Sequence, residues 1–400
     1  MAMDRVHIAG AGPVGLITAL LLCRAGIPVT ILEKGDTYCQ DIRAAYYLPP
    51  SVDMLDEIGF LEPLLKGGLI DHAPNFFDVG LGRNTRLPLG LLASKYNHPY
   101  SVCAAQNWFC SVGYDLLREY DCEFKFGHAV TGVSQQDDTV EIAVETASGP
   151  QTVRTQWLLG CDGASSEVRK SQEIEYEGYT WPDRFLLIHS RHDFRPEFGN
   201  LSYMINGDDW RLVIKIPYGP GPDDWIYRIV GGVQPEETDD QVLSAENVQG
   251  VLQRTRPQEA PYEIEETFIY KVHQRVAKTY RKGRVVLLGD AAHLNNPMGG
   301  QGLNCGVHDA FNFAEKFIRV WNGESDGLLD LYDRQRRITN WEYIQKISIE
   351  NKKRNEETDL AKRAVAFDTL ERTLADPETG FAFVNRWAMG ESLDFASKIE

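Results

Sequence analysis

The pattern of apolar and polar positions at the start of the chain predicts a strand, a glycine-rich turn, a helix and a second strand. Val6–Ala9 form a short apolar run, and Gly15–Ala25 have the apolar spacing of a buried helix. Gly26 ends this helix, and Val29–Leu32 form the second strand. This order is typical of a domain built on a parallel sheet.

The middle of the chain alternates with the period of β-strands. Three short runs predict a small meander, and they are Phe124–Val133, Val140–Val144 and Val153–Leu159. Three more strands are predicted in a region rich in β-branched and aromatic residues, and they are Leu201–Ile205, Arg211–Ile216 and Trp225–Val230. We expect this second sheet to form a separate lobe.

The last third of the chain returns to parallel structure and then becomes helical. Arg284–Leu288 form an apolar run typical of a buried parallel strand. A helix is predicted from about Leu303 to Trp321, and residues 329–375 are helical and highly charged. Since 400 residues exceed the usual size of a single core, we expect two lobes finished by C-terminal helices.

Charge and cysteine content narrow the function classes. A net charge of −17 disfavours nucleic acid and anionic membrane surfaces as partners. The seven cysteines form no CxxC pair, which favours reduced thiols in a cytoplasmic protein and no metal site. Arg24, Gly26 and Pro28 interrupt the apolar stretch from Gly15 to Leu32, so no membrane segment is expected.

The first motif with chemical content follows the first strand. It reads Gly10-Ala11-Gly12-Pro13-Val14-Gly15, and an acid, Glu33, follows the second strand and precedes Lys34. The first glycine allows a tight turn, the second lets a diphosphate approach the backbone, and the third lets helix and strand pack closely. The helix start attracts the diphosphate, and Glu33 can accept ribose hydroxyls. This motif alone leaves FAD and NAD open.

Two later motifs distinguish between these cofactors. An apolar strand ends in Asp162-Gly163 and is followed by Arg169, and a second strand ends in Gly289-Asp290. The second motif continues as Asn296-Pro297-Met298-Gly299-Gly300-Gln301-Gly302-Leu303-Asn304. In this combination and order the sequence closely resembles the class A flavoprotein aromatic hydroxylases, the family of 4-hydroxybenzoate hydroxylase, over essentially its whole length.

The resemblance implies an α/β fold class: a Rossmann-type FAD-binding domain with a β-sheet substrate-binding lobe and C-terminal helices. The FAD-binding domain is expected over residues 1–70, 100–175 and 270–330, the substrate lobe over 71–99 and 176–269, and the helical region over 331–400. Since no second GxGxxG occurs, NAD(P)H is expected to bind transiently on the shared surface. The C-terminal helices make a homodimer a hypothesis.

The resemblance also assigns cofactor contacts beyond the first motif. Asp290 is expected to take a ribitol hydroxyl of the flavin, and Gly300 and Gly302 let backbone lie against the flavin ring. The helix that starts near Leu303 and Asn304 directs its positive end at the flavin. The remaining expected FAD contacts are Arg43, Gln106, Asp162, Gly163, Arg169, Gly289 and Pro297.

The implied reaction is phenol hydroxylation by way of a flavin C4a-hydroperoxide formed with O2. Tyr227 is expected to hydrogen-bond the phenolate, His72 to relay the proton after a one-residue gap in the match, Pro297 to approach the reacting position and Arg43 to border the site. Substrate contacts are predicted for Tyr203, Trp210, Arg211 and Tyr227. A carboxylate on the substrate would need a cation, with Arg191, Arg195, Arg211, Lys215 and Arg228 all open.

Four alternatives remain at this point, and the fourth is a substrate-driven oxidase or reductase that never transfers oxygen. The motifs report FAD and not the substrate, so an epoxidase or a hydroxylase of a non-aromatic ring is possible. Trp225-Ile226-Tyr227-Arg228-Ile229-Val230 echoes a halogenase motif only faintly. A non-catalytic FAD-binding protein is the remote third reading. His293 and Cys305 are expected to be packing residues.

Overall fold

The structure is a computed structural model and describes residues 5–400. Its strands are β1 Val6–Ala9, β2 Val29–Leu32, β3 Tyr46–Tyr47, β4 Leu69–Asp71, β5 Asn75–Asp78, β6 Arg83–Arg86, β7 Ser101–Cys103, β8 Cys122–Lys125, β9 Ala129–Gln136, β10 Thr139–Thr146, β11 Gly149–Thr155, β12 Leu158–Gly160, β13 Tyr176–Ser190, β14 Leu201–Ile205, β15 Arg211–Pro217, β16 Trp225–Val233, β17 Ile264–Ala277, β18 Arg281–Lys282, β19 Val285–Leu287 and β20 His293–Leu294.

Helices carry the rest of the regular structure. They are α1 Pro13–Arg24, α2 Pro49–Glu57, α3 Leu61–Leu65, α4 Gln106–Leu117, α5 Glu167–Ser171, α6 Arg195–Phe198, α7 Asp239–Leu243, α8 Ala245–Thr255, α9 Gln301–Trp321, α10 Gly327–Thr339, α11 Lys346–Asn355, α12 Leu360–Ala375, α13 Pro377–Trp387 and α14 Gly390–Ala396. Short 3-10 turns lie at Leu89–Ser94 and Gly289–Ala291, and a π-helical turn joins α10 to α11 at Asn340–Gln345.

A six-stranded sheet with the order β18-β19-β12-β1-β2-β8 organises the first lobe. All pairings except β18 with β19 are parallel. The strand predictions for β1 and β2 are confirmed to the residue. Helix α1 begins at Pro13, two residues before the predicted start, because proline has the backbone angle that the first helical position needs and no amide to leave unpaired. The predicted α/β class with C-terminal helices is confirmed.

The predicted meander is wrong at both of its outer strands. The sheet β11-β10-β9 is antiparallel, as expected. Phe124, however, lies in β8 at the edge of the parallel sheet, and Leu158 and Leu159 lie in β12 at its centre. Gly127, with a φ of 67°, separates β8 from β9, so two strands of different sheets read as one alternating run.

An eight-stranded sheet with the order β20-β17-β13-β16-β15-β14-β5-β6 forms the second lobe. The prediction of β14 is confirmed, and β15 and β16 extend beyond their predicted ends. The long strands β13 and β17 were missed. Their ladder shifts register between Thr180 and Arg184, where Pro182 interrupts the strand pattern.

The register of this sheet divides its side chains between two faces. One row across the strands contains Phe76, Tyr203, Leu212 and Val230, and we call their side the inner face. Residues at the alternate positions of each strand, such as Tyr227, point to the outer face, because strand side chains alternate. The outer face is covered by α6 and α8 through a cluster that includes Phe198, Val248 and Leu252.

The inner face is turned towards the first lobe and the C-terminal helices. Tyr203 and Ile214 share a buried apolar cluster with Tyr46 of the first lobe and with Phe367 and Trp387 of the C-terminal helices. The cleft between the lobes is therefore bounded by the parallel sheet, the inner face and the C-terminal helices.

None of the helices within residues 5–400 is long and apolar enough to cross a membrane.

Candidate active site

The polar and glycine motifs meet at one edge of the parallel sheet. Gly10 follows β1, Glu33 follows β2, Asp162 follows β12 and Gly289 follows β19. Because these strands are parallel, their carboxyl ends lie along the same edge, where open α/β sheets bind their ligands.

Glu33 connects the second strand to the glycine turn. Its carboxylate accepts hydrogen bonds from the amide of Ala11 at 2.7 Å and from the amide of Gly35 at 2.9 Å. This residue therefore fixes the shape of the turn. Lys34, next to it, is exposed.

The three glycines of the first motif occur at their positions for different physical reasons. A Cβ at Gly15 would lie 2.1 Å from the carbonyl oxygen of Gly10, and one at Gly10 would lie 2.5 Å from that of Cys161. Gly10 also has a φ of 103°, which an L side chain rarely adopts. A Cβ at Gly12 meets nothing within 4 Å. Gly10 and Gly15 are thus required by the fold, whereas Gly12 is free for a ligand to approach.

The start of helix α1 offers unpaired amide groups. Gly12 stands at its N-cap without a side chain to bond the first turn, and Pro13 occupies the first helical position. Val14 of this turn packs against the later glycines, since a Cβ at Gly289 or Gly306 would lie 2.8 or 2.5 Å from its side chain. An uncapped helix start at a strand end is a binding site for a phosphate.

The Asp162-Gly163 motif is held in place by hydrogen bonds from backbone amides of the helix that follows it. Asp162 Oδ2 accepts hydrogen bonds from the amides of Glu167 at 2.7 Å and Val168 at 3.1 Å and so caps helix α5. Its Oδ1 is buried and has no partner within residues 5–400. Gly163 has a φ of 78°, which favours glycine. The unsatisfied oxygen is a candidate acceptor for a cofactor hydroxyl.

Arg169 joins this motif to the Gly289-Asp290 motif. Its guanidinium donates to the carbonyl oxygens of Ala164 and Ala291, both at 2.9 Å, and lies 3.9 Å from the ring centroid of Tyr176. The Tyr176 hydroxyl in turn donates to the carbonyl oxygen of Asp290 at 2.9 Å. The structure therefore uses Arg169 to hold two motifs together.

Asp290 keeps a solvent-accessible carboxylate although protein surrounds it on most sides. Loss of solvent raises the pKa of this carboxyl, while the charges of His293 and Arg43 act in the opposite direction. Its backbone is fixed by Tyr176, so the side chain is the part left for a ligand.

A buried ion-pair network lies directly behind Asp290. Asp309 accepts from Arg336 Nε at 2.7 Å and from the Gly289 amide at 3.1 Å, and its Oδ2 lies 2.6 Å from His293 Nε2. Burial opposes ionisation of Asp309, but His293 and Arg336 lower its pKa to about 2. Burial likewise opposes protonation of His293, but Cys305 and Asp309 raise its pKa. The network anchors Gly289 to helices α9 and α10.

The same cluster has the residue types of a metal site. The ligand atoms of His293, Cys305 and Asp309 all lie within 4.8 Å of one another. Arg336 also donates to the Cys305 sulfur at 3.2 Å. Its guanidinium supplies the positive charge that a metal ion would bring, so the geometry favours an ion-pair network. His293 and Cys305 thus do more than the packing expected of them.

The segment Pro297–Gly300 forms a turn ahead of helix α9. The Gly300 amide donates to the Pro297 carbonyl oxygen at 3.1 Å, and Asn304 donates to the carbonyl oxygens of Gly300 at 2.7 Å and Tyr46 at 2.9 Å. Gln301 is fully buried, yet both polar atoms of its side chain lack a partner within residues 5–400. Buried amides are rarely left unpaired, so this turn also points to a ligand.

The other positions predicted after Gln301 lie at the start of helix α9. Gly302 faces Asn295, whose side-chain oxygen would be 3.6 Å from an added Cβ, and Leu303 is half-buried against the core of the first lobe. Asn304 Oδ1 accepts from the Leu48 amide at 2.9 Å. Asn304 therefore cross-links this helix to the segment around Tyr46.

Arg43 and Gln106 lie on the loop side of the first lobe. Arg43 is largely exposed and pairs with Asp41 at 3.0 Å. Gln106, at the start of helix α4, accepts from the Ala44 amide at 3.4 Å and donates to the Cys39 sulfur at 3.1 Å. The structure thus brings Gln106 to the loop that carries Arg43.

The predicted substrate residues separate between the faces of the eight-stranded sheet. Tyr203 is on the inner face, stacked on Phe76 with ring centroids 5.0 Å apart. Tyr227 and Arg211 are on the outer face. There the Tyr227 hydroxyl donates to the Gly199 carbonyl oxygen at 2.9 Å, and Arg211 pairs with Asp209. The structure does not bring Tyr227 or Arg211 to the cleft.

Tyr203 lies beside the Pro297–Gly300 turn. Burial raises the pKa of its hydroxyl, while the Arg354 charge and the Gly299 amide act in the opposite direction. Trp210 is also on the inner side but packs edge-on against Phe185, with centroids 5.1 Å apart, in a cluster that contains Met298. Of the two predicted substrate tyrosines, Tyr203 has its hydroxyl next to this turn and Tyr227 does not.

Arg228 is an inner-face residue whose role the sequence did not reveal. Its guanidinium donates to the carbonyl oxygens of Ile42 and Arg43 and lies 3.0 Å from His189 Nε2. Burial lowers its pKa to about 10. Arg228 therefore ties the substrate lobe to the loop that carries Arg43.

His72 follows Asp71, which is hydrogen-bonded to Tyr46, and lines a surface cavity. Tyr46, whose carbonyl binds Asn304, donates its hydroxyl proton to Asp71 Oδ2 at 2.7 Å. Asp71 and His72 line a cavity of about 310 Å³ together with Arg86 and Arg195. Tyr46 and Asp71 were missed, because nothing in their local sequence distinguishes them from other strand residues.

Comparisons with known proteins agree with this geometry. The FAD binding domain family matches residues 3–347. The chain is 33% identical over 368 residues to para-nitrophenol 4-monooxygenase of Pseudomonas sp., covering 90% of this chain and 89% of that protein. It is 30% identical over 342 residues to 6-hydroxy-3-succinoylpyridine 3-monooxygenase of Pseudomonas putida, covering 84% of both.

A solved structure extends the likeness to three dimensions. The crystal structure of p-nitrophenol 4-monooxygenase from Pseudomonas putida superposes with a TM-score of 0.90 and 29% sequence identity. The alignment covers 96% of this chain and 98% of that one. The similarity therefore includes both lobes and the C-terminal helices.

Proposed function

Because the chain belongs to the FAD binding domain family and is an FAD-dependent aromatic monooxygenase that uses NAD(P)H, we propose that it hydroxylates a phenol held between the inner face and the Pro297–Gly300 turn. One observation supports this placement above the others. Tyr203 is the tyrosine of the inner face whose hydroxyl lies beside Gly299.

The residues at the edge of the parallel sheet fit FAD. The uncapped start of α1 suits its diphosphate, Glu33 a ribose, and Asp162 and Asp290 offer carboxylate oxygens to hydroxyl groups. We assign Gly10, Gly12, Pro13, Val14, Gly15, Glu33, Lys34, Arg43, Gln106, Asp162, Gly163, Arg169, Gly289, Asp290, Pro297, Gly300, Gly302, Leu303 and Asn304 to the cofactor site. When bound, FAD supplies the chemistry by which O2 is activated for oxygen transfer.

The protein's part is to position the phenol and move its proton. Tyr203 donates a hydrogen bond to the phenolic oxygen, and the Pro297 carbonyl borders the ring position that reacts. The released proton is expected to pass along Tyr46 and Asp71 to His72, because the Tyr46 hydroxyl donates to Asp71 and both Asp71 and His72 line the surface cavity. Apolar inner-face residues exclude water from the ring.

Domain division, assembly and location remain proposals of the same account. We propose residues 1–70, 100–175 and 270–330 as the FAD-binding domain, 71–99 and 176–269 as the substrate lobe, and 331–400 as the helical region. A homodimer through the C-terminal helices and a cytoplasmic location are also proposed. A dimer mass in light scattering at micromolar concentration would support the assembly, and a monomer mass would contradict it.

Oxidation of NAD(P)H by the FAD-loaded protein tests the function. We expect a phenol to accelerate NADH or NADPH consumption and to be converted to a product with one more ring hydroxyl. Acceleration by epoxidase or non-aromatic substrates with none by any phenol would contradict the proposal. A bound flavin that neither nicotinamide reduces would favour a non-catalytic FAD-binding protein.

A further inference from the structure

Within the described chain, the inner-face positions of β14, β15 and β16 hold no free cation that could bind a substrate carboxylate. Its positions on β14, β15 and β16 hold Leu201, Tyr203, Ile205, Leu212, Ile214, Ile216, Ile226, Arg228, Val230 and Gly232. Arg228 is the one charged residue in this set, and two backbone carbonyls and His189 already occupy its guanidinium.

The other cations predicted for a substrate carboxylate lie elsewhere. Arg211 and Lys215 lie on the outer face, and the Lys215 ammonium is 3.9 Å from the ring centroid of Trp225. Arg191 pairs with Glu265 at 2.9 Å, and Arg195 pairs with Asp193 at 2.7 Å. Leaving a carboxylate unpaired in the apolar cleft would be strongly unfavourable, because a buried charge loses its hydration.

Arg354 is different from all of these cations. It lies at the end of helix α11, and its guanidinium carbon is 5.5 Å from the ring centroid of Phe76, which stacks on Tyr203. It donates to Asn351 at 2.9 Å, but its Nε is buried without a partner, and no ion pair of this residue is found within residues 5–400. A positive charge thus stands beside Tyr203 without an ion pair of its own, since the acid whose charge acts on it, Glu350, pairs with Arg386 at 3.0 Å.

The surroundings of Arg354 contain further unsatisfied polar groups. Asn351 donates to the Met298 carbonyl oxygen at 3.3 Å and so connects α11 to the Pro297–Gly300 turn. Asn355 Oδ1 on α11 and both polar atoms of Gln301 are buried and unpaired within the described chain. Several such groups around one cation are typical of a site completed by a polar ligand.

We propose that Arg354, with Tyr203, binds the phenolate oxygen of the substrate, and that this substrate is a phenol without a carboxylate. The inference rests on the proposed function and adds to it the class of phenol and the group that holds its charge. A guanidinium favours the phenolate over the phenol, and the phenolate is the electron-rich form that accepts an electrophilic oxygen.

The ionisation of a bound chromogenic phenol tests this assignment without turnover. The probe is 4-nitrophenol, whose phenolate absorbs visible light, titrated with pH against the FAD-loaded protein. We expect binding to lower its pKa, and we expect Arg354→Gln to weaken phenolate binding about tenfold or more. Arg354→Lys should restore part of the effect, and Lys353→Gln, an exposed neighbour, should have none. Retained FAD in each variant checks folding.

The outcomes separate this inference from the proposed function. An unchanged ionisation in Arg354→Gln would overturn the role of Arg354. A loss seen with 4-nitrophenol and not with 4-chlorophenol would overturn it in favour of nitro-group binding. Binding of 4-hydroxybenzoate as tight as that of 4-chlorophenol would overturn the class of substrate. If no phenol bound or accelerated NAD(P)H oxidation, the proposed function itself would fail.

Discussion

The two sides of the cleft are built in different ways. On the flavin side, a buried network pairs Asp309 with Arg336 and His293, and side chains fix the backbone. On the substrate side, the inner face is apolar, and the cation beside it, Arg354, comes from helix α11 and has no ion pair within the described chain.

This difference teaches which part of the site constrains the fold. The cofactor side is a network in which each member supports the backbone of the next, so a change there disturbs the structure as well as the binding. The substrate side depends on single side chains, such as Tyr203, that take no part in a network of this kind. Substitutions on the two sides should therefore separate into effects on stability and effects on the reaction.

The largest effect is expected from Asp309→Ala. It leaves Arg336 and His293 buried without their counter-charge, and breaking a buried ion pair from one side costs about 3–5 kcal/mol. The free energy of unfolding from denaturant titration measures this loss. Asp330→Ala, which removes an exposed partner of Arg281, is the matched control and should cost under about 1 kcal/mol. Equal losses in the two variants would contradict the account.

Two glycine substitutions should separate an effect on protein stability from an effect on cofactor binding. Gly15→Ala places a Cβ against the Gly10 carbonyl and should lower the stability of the FAD-free protein by about 2–4 kcal/mol. Gly12→Ala meets no protein atom within 4 Å and should leave that stability nearly unchanged while weakening FAD binding at least about tenfold. Thermal unfolding without FAD and flavin titration measure the two effects. Tight FAD binding by Gly12→Ala would refute the assignment of the diphosphate.

Two tyrosine substitutions compare the faces of the eight-stranded sheet. Tyr203→Phe should slow hydroxylation about tenfold or more while FAD stays bound, because it removes a hydrogen bond to the phenolate. Tyr227→Phe should leave turnover unchanged and cost about 1 kcal/mol of stability through its lost bond to Gly199. Steady-state product formation and unfolding titrations check both. Slow turnover in Tyr227→Phe alone would restore its predicted catalytic role.

The smallest effect concerns the pH dependence of stability. The pKa of His293 is raised in the folded protein, so its contribution is fully present below the unfolded value of about 6.5 and is lost as pH rises through the folded value. The stability difference between the wild type and His293→Gln should shrink across this window by at most about 1.4 kcal/mol per pH unit. A difference that grows with pH would contradict the charged imidazole.

The glycine turn could be predicted from the sequence because local backbone geometry determines it. Gly10, Gly15 and Glu33 have spacings that a strand, a turn and a helix require, and Gly15 and Glu33 contact Gly10 and Ala11 of the same motif. The substrate side could not be read in this way. Alternation shows which residues of one strand share a face, but only the register between strands places Tyr203 and Tyr227 on opposite faces, and helices α6 and α8 show which face is covered. Arg354 and Asp71 come near the cleft through helix packing and strand pairing, which no local sequence pattern predicts.

Turnover of a phenol under isotopically labelled dioxygen tests the central claim most directly. The FAD-loaded protein, with NAD(P)H and either 4-chlorophenol or 4-nitrophenol, should give an aromatic product that carries one labelled oxygen atom, detected by mass spectrometry. Tyr203→Phe should form this product more slowly, and Tyr227→Phe at the wild-type rate. NAD(P)H consumption that yields only hydrogen peroxide, with every phenol recovered unlabelled, would contradict the placement of a phenol against the inner face.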